Sequence, residues 1–255
     1  MKRIIAIAHN TFKETVRDRI LYGLLIFALL LLPGSRLVIP LSIGQEVKIM
    51  KDFGFAAISL FGLMIAVVVG TSLVHKELDK RTIYVLVAKP VRRWELLIGK
   101  YVGLMATLLL AFVVMALVMA ATVITLGGRV DRLLWLTILG LYLQLMAVTA
   151  VAIFFSTLAS PALSAVFTIC LFIVGTAADQ LRLFAERMPG DLVKAMVKAA
   201  SYMVPNLHLC NFRTEAVYGL PVEGQRILLM LLYIFLYTLL ILLLSSVILE
   251  KKDLK

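Results

Sequence analysis

Apolar residues in this chain fall in long blocks separated by short charged or polar intervals. Residues 3–19, RIIAIAHNTFKETVRDR, carry too much charge to cross a bilayer. Within them Ile4, Ala8, Phe12 and Val16 recur every fourth position, with Lys13, Glu14, Arg17 and Asp18 elsewhere. That period predicts an amphipathic helix lying in the membrane interface; a water-exposed extension of the first span is the alternative. The uninterrupted apolar run 20–32 would be about 20 Å long as a helix, short of a hydrocarbon core of about 30 Å. A first span over 20–39, continuing through Pro33 and Gly34, makes up the length and leaves Arg36 to snorkel at the far interface. Five further spans are predicted over 53–74, 94–126, 133–158, 161–178 and 227–249. Gly127-Gly128 closes the third, and Pro161 marks a tight turn before the fifth. The third span is longer than the core needs, so its first turns, with Lys100, are expected in the headgroup layer.

The stretch 179–226 is long, polar and still patterned. Asp191 is placed to cap a helix running through Met203, with Leu192, Met196, Ala199 and Met203 on one face and Lys194 and Lys198 on another. Pro205 stops it. This helix would lie on the membrane surface or dip back into the protein. The reading is an all-α polytopic membrane protein: six transmembrane helices, an N-terminal interfacial helix, and an outer helical segment between spans five and six. One domain covers 1–255.

Composition agrees. The 255 residues are 62% hydrophobic with a mean hydropathy of +1.01, against about 45–50% apolar residues in soluble domains. The net charge of +11 does not indicate nucleic acid, because the basic residues flank apolar spans, where positive-inside bias and anionic headgroups account for them. Six spans put both termini on one side. That side holds fifteen Lys and Arg, in the amino end, residues 75–100 and the tail. The other holds eleven, six of them in the long 179–226 loop. Without that loop the bias is fifteen to five, which predicts cytoplasmic termini and a multi-pass protein of the inner (plasma) membrane. Lys2 and Arg3 lead into a charged stretch rather than an apolar h-region, so the first span is expected to stay in the mature protein. Cys170 lies mid-span and Cys210 in a loop, at different depths, a poor pair for a disulfide.

The longest charged interval between apolar spans is His75–Gly103, HKELDKRTIYVLVAKPVRRWELLIGKYVG. Lys76, Lys80, Arg81, Lys89, Arg92, Arg93 and Lys100 face only Glu77, Asp79 and Glu95. Residues 77–89 read as a short amphipathic helix, with Ile83, Val85, Leu86 and Val87 bounded by charge; Pro90 breaks it before the next span. Such an element suits docking to a soluble partner. An ordinary basic loop satisfying positive-inside bias fits the same residues.

No G-x-x-x-x-G-K-[ST] loop is present: Gly99-Lys100 is followed by Tyr101 and opens a span. No H-E-x-x-H or G-x-S-x-G pattern appears either. No ATPase, metalloprotease or serine-hydrolase centre is therefore expected here. The spans hold few ionisable residues in their middles, which argues against a proton-driven carrier or cation pore. Gln144, Thr149, Ser164 and Thr168 are the polar residues near span middles, and helix–helix packing is their simplest use. His208-Leu-Cys210, with Met203 nearby, is the only outer cluster of soft ligands; no metal site is assigned to it.

An acidic Glu77, then Thr82, then Pro90 and Arg93 in Pro-x-x-Arg, Trp94-Glu95, and Gly99-Lys100 opening the third span together resemble the ABC-2 type permease family. Within it the likeness is to the branch containing the permease of the nitrous-oxide-reductase copper-maturation exporter. The sharp match covers about 75–103; the amphipathic start, six spans and outer segment agree along the length. The resemblance implies a permease subunit of an ATP-driven exporter. In it 77–89 is a coupling helix seated in a groove of a separate ABC ATP-binding subunit. ATP and Mg would belong to that subunit, with no cofactor in this chain. It also implies a second permease copy, identical or different, and a lesser contact from the Ser156–Pro161 turn. Glu77, Arg81, Thr82, Lys89, Pro90, Arg93, Trp94, Glu95, Gly99 and Lys100 are the coupling residues so implied. A copper cargo does not carry over. The rival from another class is a non-transporting membrane anchor or sensor whose basic segment binds anionic lipid or a regulatory protein.

Overall fold

A computed structural model describes residues 2–34, 45–79, 93–187 and 204–251. Most of them are helical, with no strand among the described residues. In chain order the helices are α1 (Lys2–Val16), α2 (Arg19–Gly34), α3 (Glu46–Asp79), α4 (Arg93–Thr125), α5 (Arg132–Leu158), α6 (Pro161–Thr176), α7 (Ala178–Arg187), α8 (Arg213–Tyr218) and α9 (Gly224–Lys251). A 3₁₀ turn, Leu207–Cys210, precedes α8.

Local chemistry sets these boundaries. Asp18 accepts a bond from the Ile20 amide at 3.0 Å and caps α2. This breaks the chain between α1 and α2, so α1 is not an extension of the first span. At the end of α4, Gly127 adopts φ +74°; its amide bonds Ile124 and that of Gly128 bonds Val123, a Schellman closure that requires the left-handed residue to be glycine. Pro161 takes the first position of α6, where a missing amide costs nothing. The spans expected at 94–126, 133–158 and 227–249 are thus matched by α4, α5 and α9 to within a few residues. α3 starts seven residues before the expected 53, because 46–52 also buries side chains: Met50 is fully buried and Lys51 nearly so.

Among the described residues, four helices are long and apolar enough to cross a membrane: α3, α4, α5 and α9. α2 and α6 are apolar but have 16 residues each, about 24 Å of helix. α3, α4 and α5 form the centre of the bundle, where Phe55, Ile58, Leu108, Phe112, Met115 and Ile153 are buried. α4 and α5 run antiparallel and are tied by two reciprocal bonds. Tyr101 donates to the Met146 carbonyl at 3.2 Å, and Tyr142 donates to the Met105 carbonyl at 3.1 Å. α9 lies on the outside; only 17% of its apolar window is buried, against 56–67% for the other three long helices. Its exposed Phe235, Leu239, Leu240 and Leu243 suit lipid rather than water.

Candidate functional site

The helices alternate in direction, so their ends gather at two ends of the bundle. One end holds α1, the close of α3, the start of α4, the α5–α6 turn and the close of α9. The other holds the start of α3, the α4–α5 loop, α7, the 3₁₀ turn and α8.

At the first end α1 packs on the opening turns of α4. Ile4, Ala8, Phe12 and Val16 do form a half-buried stripe, but Ile7, Thr11 and Thr15 share it, and Thr11 and Thr15 are the buried residues of α1. The stripe therefore faces protein, while Ile5 stays 67% exposed on the other side. Two glycines make the seat. A Cβ at Gly103 would lie 2.6 Å from the Ala8 carbonyl oxygen and 2.7 Å from Thr11 Cβ; one at Gly99 would lie 2.8 Å from Ile7 Cβ. Gly99 and Gly103, four apart on one helix face, form the small-xxx-small pattern that lets two helix backbones approach. The four-residue spacing of Gly99 and Gly103 is the sequence signal for this seat. Lys100, expected in the headgroup layer, is buried beside this seat, at 4% exposure.

Arg93 reaches the end of α9. Its guanidinium donates to the Leu249 carbonyl at 2.6 Å and the Glu250 carbonyl at 3.4 Å. Those carbonyls belong to the last turn of a helix, where orphan acceptors and the negative dipole end favour a cation. Glu95 stands in the first turn of α4, favourably placed for the opposite dipole end. Trp94, Ile98, Tyr101 and Val102 of α4 face Phe235, Leu239, Leu242 and Ser246 of α9 across an apolar groove of about 460 Å³.

The structure thus brings Arg93, Trp94, Glu95, Gly99 and Lys100 together at the opening of α4. Glu77 lies in the last turns of the α3 backbone. Arg81, Thr82, Lys89 and Pro90, with most of the 77–89 helix, lie outside the described residues, as do Arg36 and the helix expected from Asp191 to Met203. In the α5–α6 turn Ser156 is buried and bonds the Ile153 carbonyl, while Ser160 is exposed.

The opposite end is polar and closely tied. Lys51 pairs with Asp131 at 3.3 Å, Arg213 with Asp52 at 2.7 Å, Arg226 with Glu215, and His208 with Asp179 at 3.0 Å. Residues 205–212 dip into the bundle. Leu207, Cys210 and Phe212 are fully buried. The Asn206 amide donates to the Tyr233 hydroxyl at 2.9 Å, and Thr137 donates to the Phe212 carbonyl at 3.1 Å. Gly175 and Gly140 make room: a Cβ at Gly175 would lie 2.8 Å from the Pro205 carbonyl, and one at Gly140 would collide with the Cys210 carbonyl. Burial pushes the Cys210 thiol up to about 12. Both cysteines are free. The mid-span Thr149, Ser164 and Thr168 are buried and bond carbonyls of the preceding turn, and Gln144 is buried among the helices, as packing residues would be.

No curated protein matches the chain. The family model described as "ABC-2 family transporter protein" matches residues 5–254. The chain belongs to that family. It is a multi-pass membrane protein and a transmembrane, non-catalytic component of an ABC transporter, of a kind that normally pairs with an ATP-binding subunit.

Proposed function

We propose, with family membership as the premise, that this chain is the permease subunit of an ATP-driven exporter of a bacterial-type inner membrane. A separate ABC subunit binds ATP and Mg and hydrolyses the nucleotide; this chain and a second permease copy form the path. α2 and α6 complete six spans, and both termini are cytoplasmic. Residues 77–89 form the coupling helix. Arg81 and Lys89 meet acidic groups of the partner, Glu77 meets a basic one, and Pro90 fixes the break before α4. The observation that carries this reading is the family match across 5–254 on a chain whose most basic interval joins α3 to α4.

The arrangement of the first end supports the mechanism. ATP-driven closure of two partner subunits is a rigid-body motion. A push on 77–89 would reach α3 and α4 directly. α1 would follow α4 through the Gly99–Gly103 seat, and α9 would follow through Arg93. Mostly apolar span interiors with few ionisable residues suit an amphiphilic cargo better than an ion. The test is to measure transport-coupled ATPase activity of the reconstituted assembly with Glu77→Ala and Arg81→Glu. Both variants are expected to insert normally and to lose coupled activity. Unchanged coupling in both would remove the assignment of 77–89.

A further inference from the structure

The polar end of the bundle holds a second arginine clamp on α9. Arg226, near the start of α9, pairs with Glu215 of α8, donates to the Asn211 carbonyl at 3.1 Å and lies over the Phe212 ring at 4.9 Å. Two residues before Glu215, Arg213 reaches the other way. Its Nε donates to the Asp52 carboxylate and its Nη2 to the Asp52 carbonyl, both at 2.7 Å. Positions two apart on a helix are turned by about 200°, so Arg213 and Glu215 leave opposite sides of one turn of α8. One side holds α3 and the other holds α9. α8 is short but closed at both ends. The Asn211 side chain accepts the Arg213 amide at 3.1 Å, and Gly219, at φ +70°, donates its amide to the Glu215 carbonyl. Among the described residues α3 and α9 have little direct contact; each packs on α5 instead.

We propose that α8 is a strut that carries displacement of the start of α3 to the start of α9. Its use in transport rests on the permease reading, in which a push on 77–89 moves α3 and α4. The far end of α9 follows α4 through Arg93. With the strut, both ends of α9 are held by arginines and the helix shifts as one body. Without it the start of α9 would lag and the helix would tilt. The two joints differ in shielding. The Glu215 side chain is 15% exposed and that of Asp52 58%, so the α3 joint is the weaker one and can be cut without disturbing the core.

Hydrogen exchange of the full-length chain in mild detergent tests the strut. It needs neither nucleotide nor partner, so its failure leaves the permease reading untouched. Asp52→Ala cuts the α3 joint without touching α9. The amides of residues 228–231 are the first bonded inside α9. Their exchange is expected to rise about two- to fivefold, the span for an exposed ion pair. Asp52→Arg combined with Arg213→Asp rebuilds the pair in reverse and should return the rate toward that of the parent. Asp131→Asn weakens the neighbouring Lys51 pair, which ties α3 to the α4–α5 loop and not to α8; it should leave 228–231 unchanged. A rise confined to α3 and α8 in Asp52→Ala would overturn the strut. An equal rise in Asp131→Asn would assign the path to α5 and overturn it too, as would a reversed pair no better than Asp52→Ala alone.

Discussion

Gly103→Ala is the sharpest perturbation of the α1 seat. The new Cβ would lie 2.6 Å from the Ala8 carbonyl oxygen and 2.7 Å from Thr11 Cβ, and both neighbours are held by helix α1 rather than by a flexible side-chain tip. α1 would have to move outward by several tenths of an ångström along its whole contact. Overpacking of this kind costs about 1–3 kcal/mol. The same substitution gains up to about 1 kcal/mol of helix propensity in α4. That gain is present whether or not α1 is docked, so the docking equilibrium of α1 shifts by the overpacking cost alone, about 1–3 kcal/mol or about 5- to 150-fold. Gly23→Ala is the matched control: nothing lies within 4 Å of its Cβ, so only the propensity gain applies. The assay is trypsin cleavage after Lys13 of α1 and Arg17 just beyond it, both exposed, under conditions where cleavage tracks the undocked population. Gly103→Ala should be cleaved several-fold faster than the parent and Gly23→Ala no faster. Equal rates in the two variants would refute the close seating of α1 on α4.

Replacing Arg93 by Met removes donors from the last carbonyls of α9; hydrogen bonds to a charged group contribute about 1.5–3 kcal/mol, so faster hydrogen exchange confined to the end of α9 is expected, with Arg93→Lys intermediate. Asp131→Asn should change stability by less than about 1 kcal/mol, because its carboxylate in the Lys51 pair is 54% exposed; a thermal-shift loss as large as that of Gly103→Ala would contradict this. Cys210, held protonated by burial up to about 12, should resist maleimide at pH 8 until the protein is unfolded. Because the folded value lies above the ordinary one near 9, its contribution to stability is complete below pH 9 and is lost as pH rises toward 12. Single cysteines at Ser160 and Arg129, at the two ends of the bundle, should be labelled from opposite faces of the membrane, and labelling from the same face would refute the six-span reading.

The limits of the long helices are legible because their signals are one-dimensional: apolar run length, Pro161, and the Gly127-Gly128 stop all act locally. The α1 stripe was legible as a stripe, but its direction was not. Amphipathicity says which face avoids water; whether lipid or a neighbouring helix covers that face depends on Gly99 and Gly103, ninety residues downstream. Residues 205–212 failed for a related reason. VPNLHLCNF has no helical or strand period, and its burial depends on notches at Gly140 and Gly175 in two other helices. Arg93 stands out in the sequence through Pro-x-x-Arg, and its bonds to the Leu249 and Glu250 carbonyls carry no sequence signature.

The most direct test of the central claim is gentle purification of the tagged chain from its native host, followed by identification of the proteins that stay bound. The account predicts a stoichiometric protein with a G-x-x-x-x-G-K-[ST] loop, present with the parent chain and lost with Arg81→Glu while membrane insertion is unchanged. Recovery of the chain with lipid alone, and no nucleotide-binding partner, would contradict it and leave the anchor or sensor reading in its place.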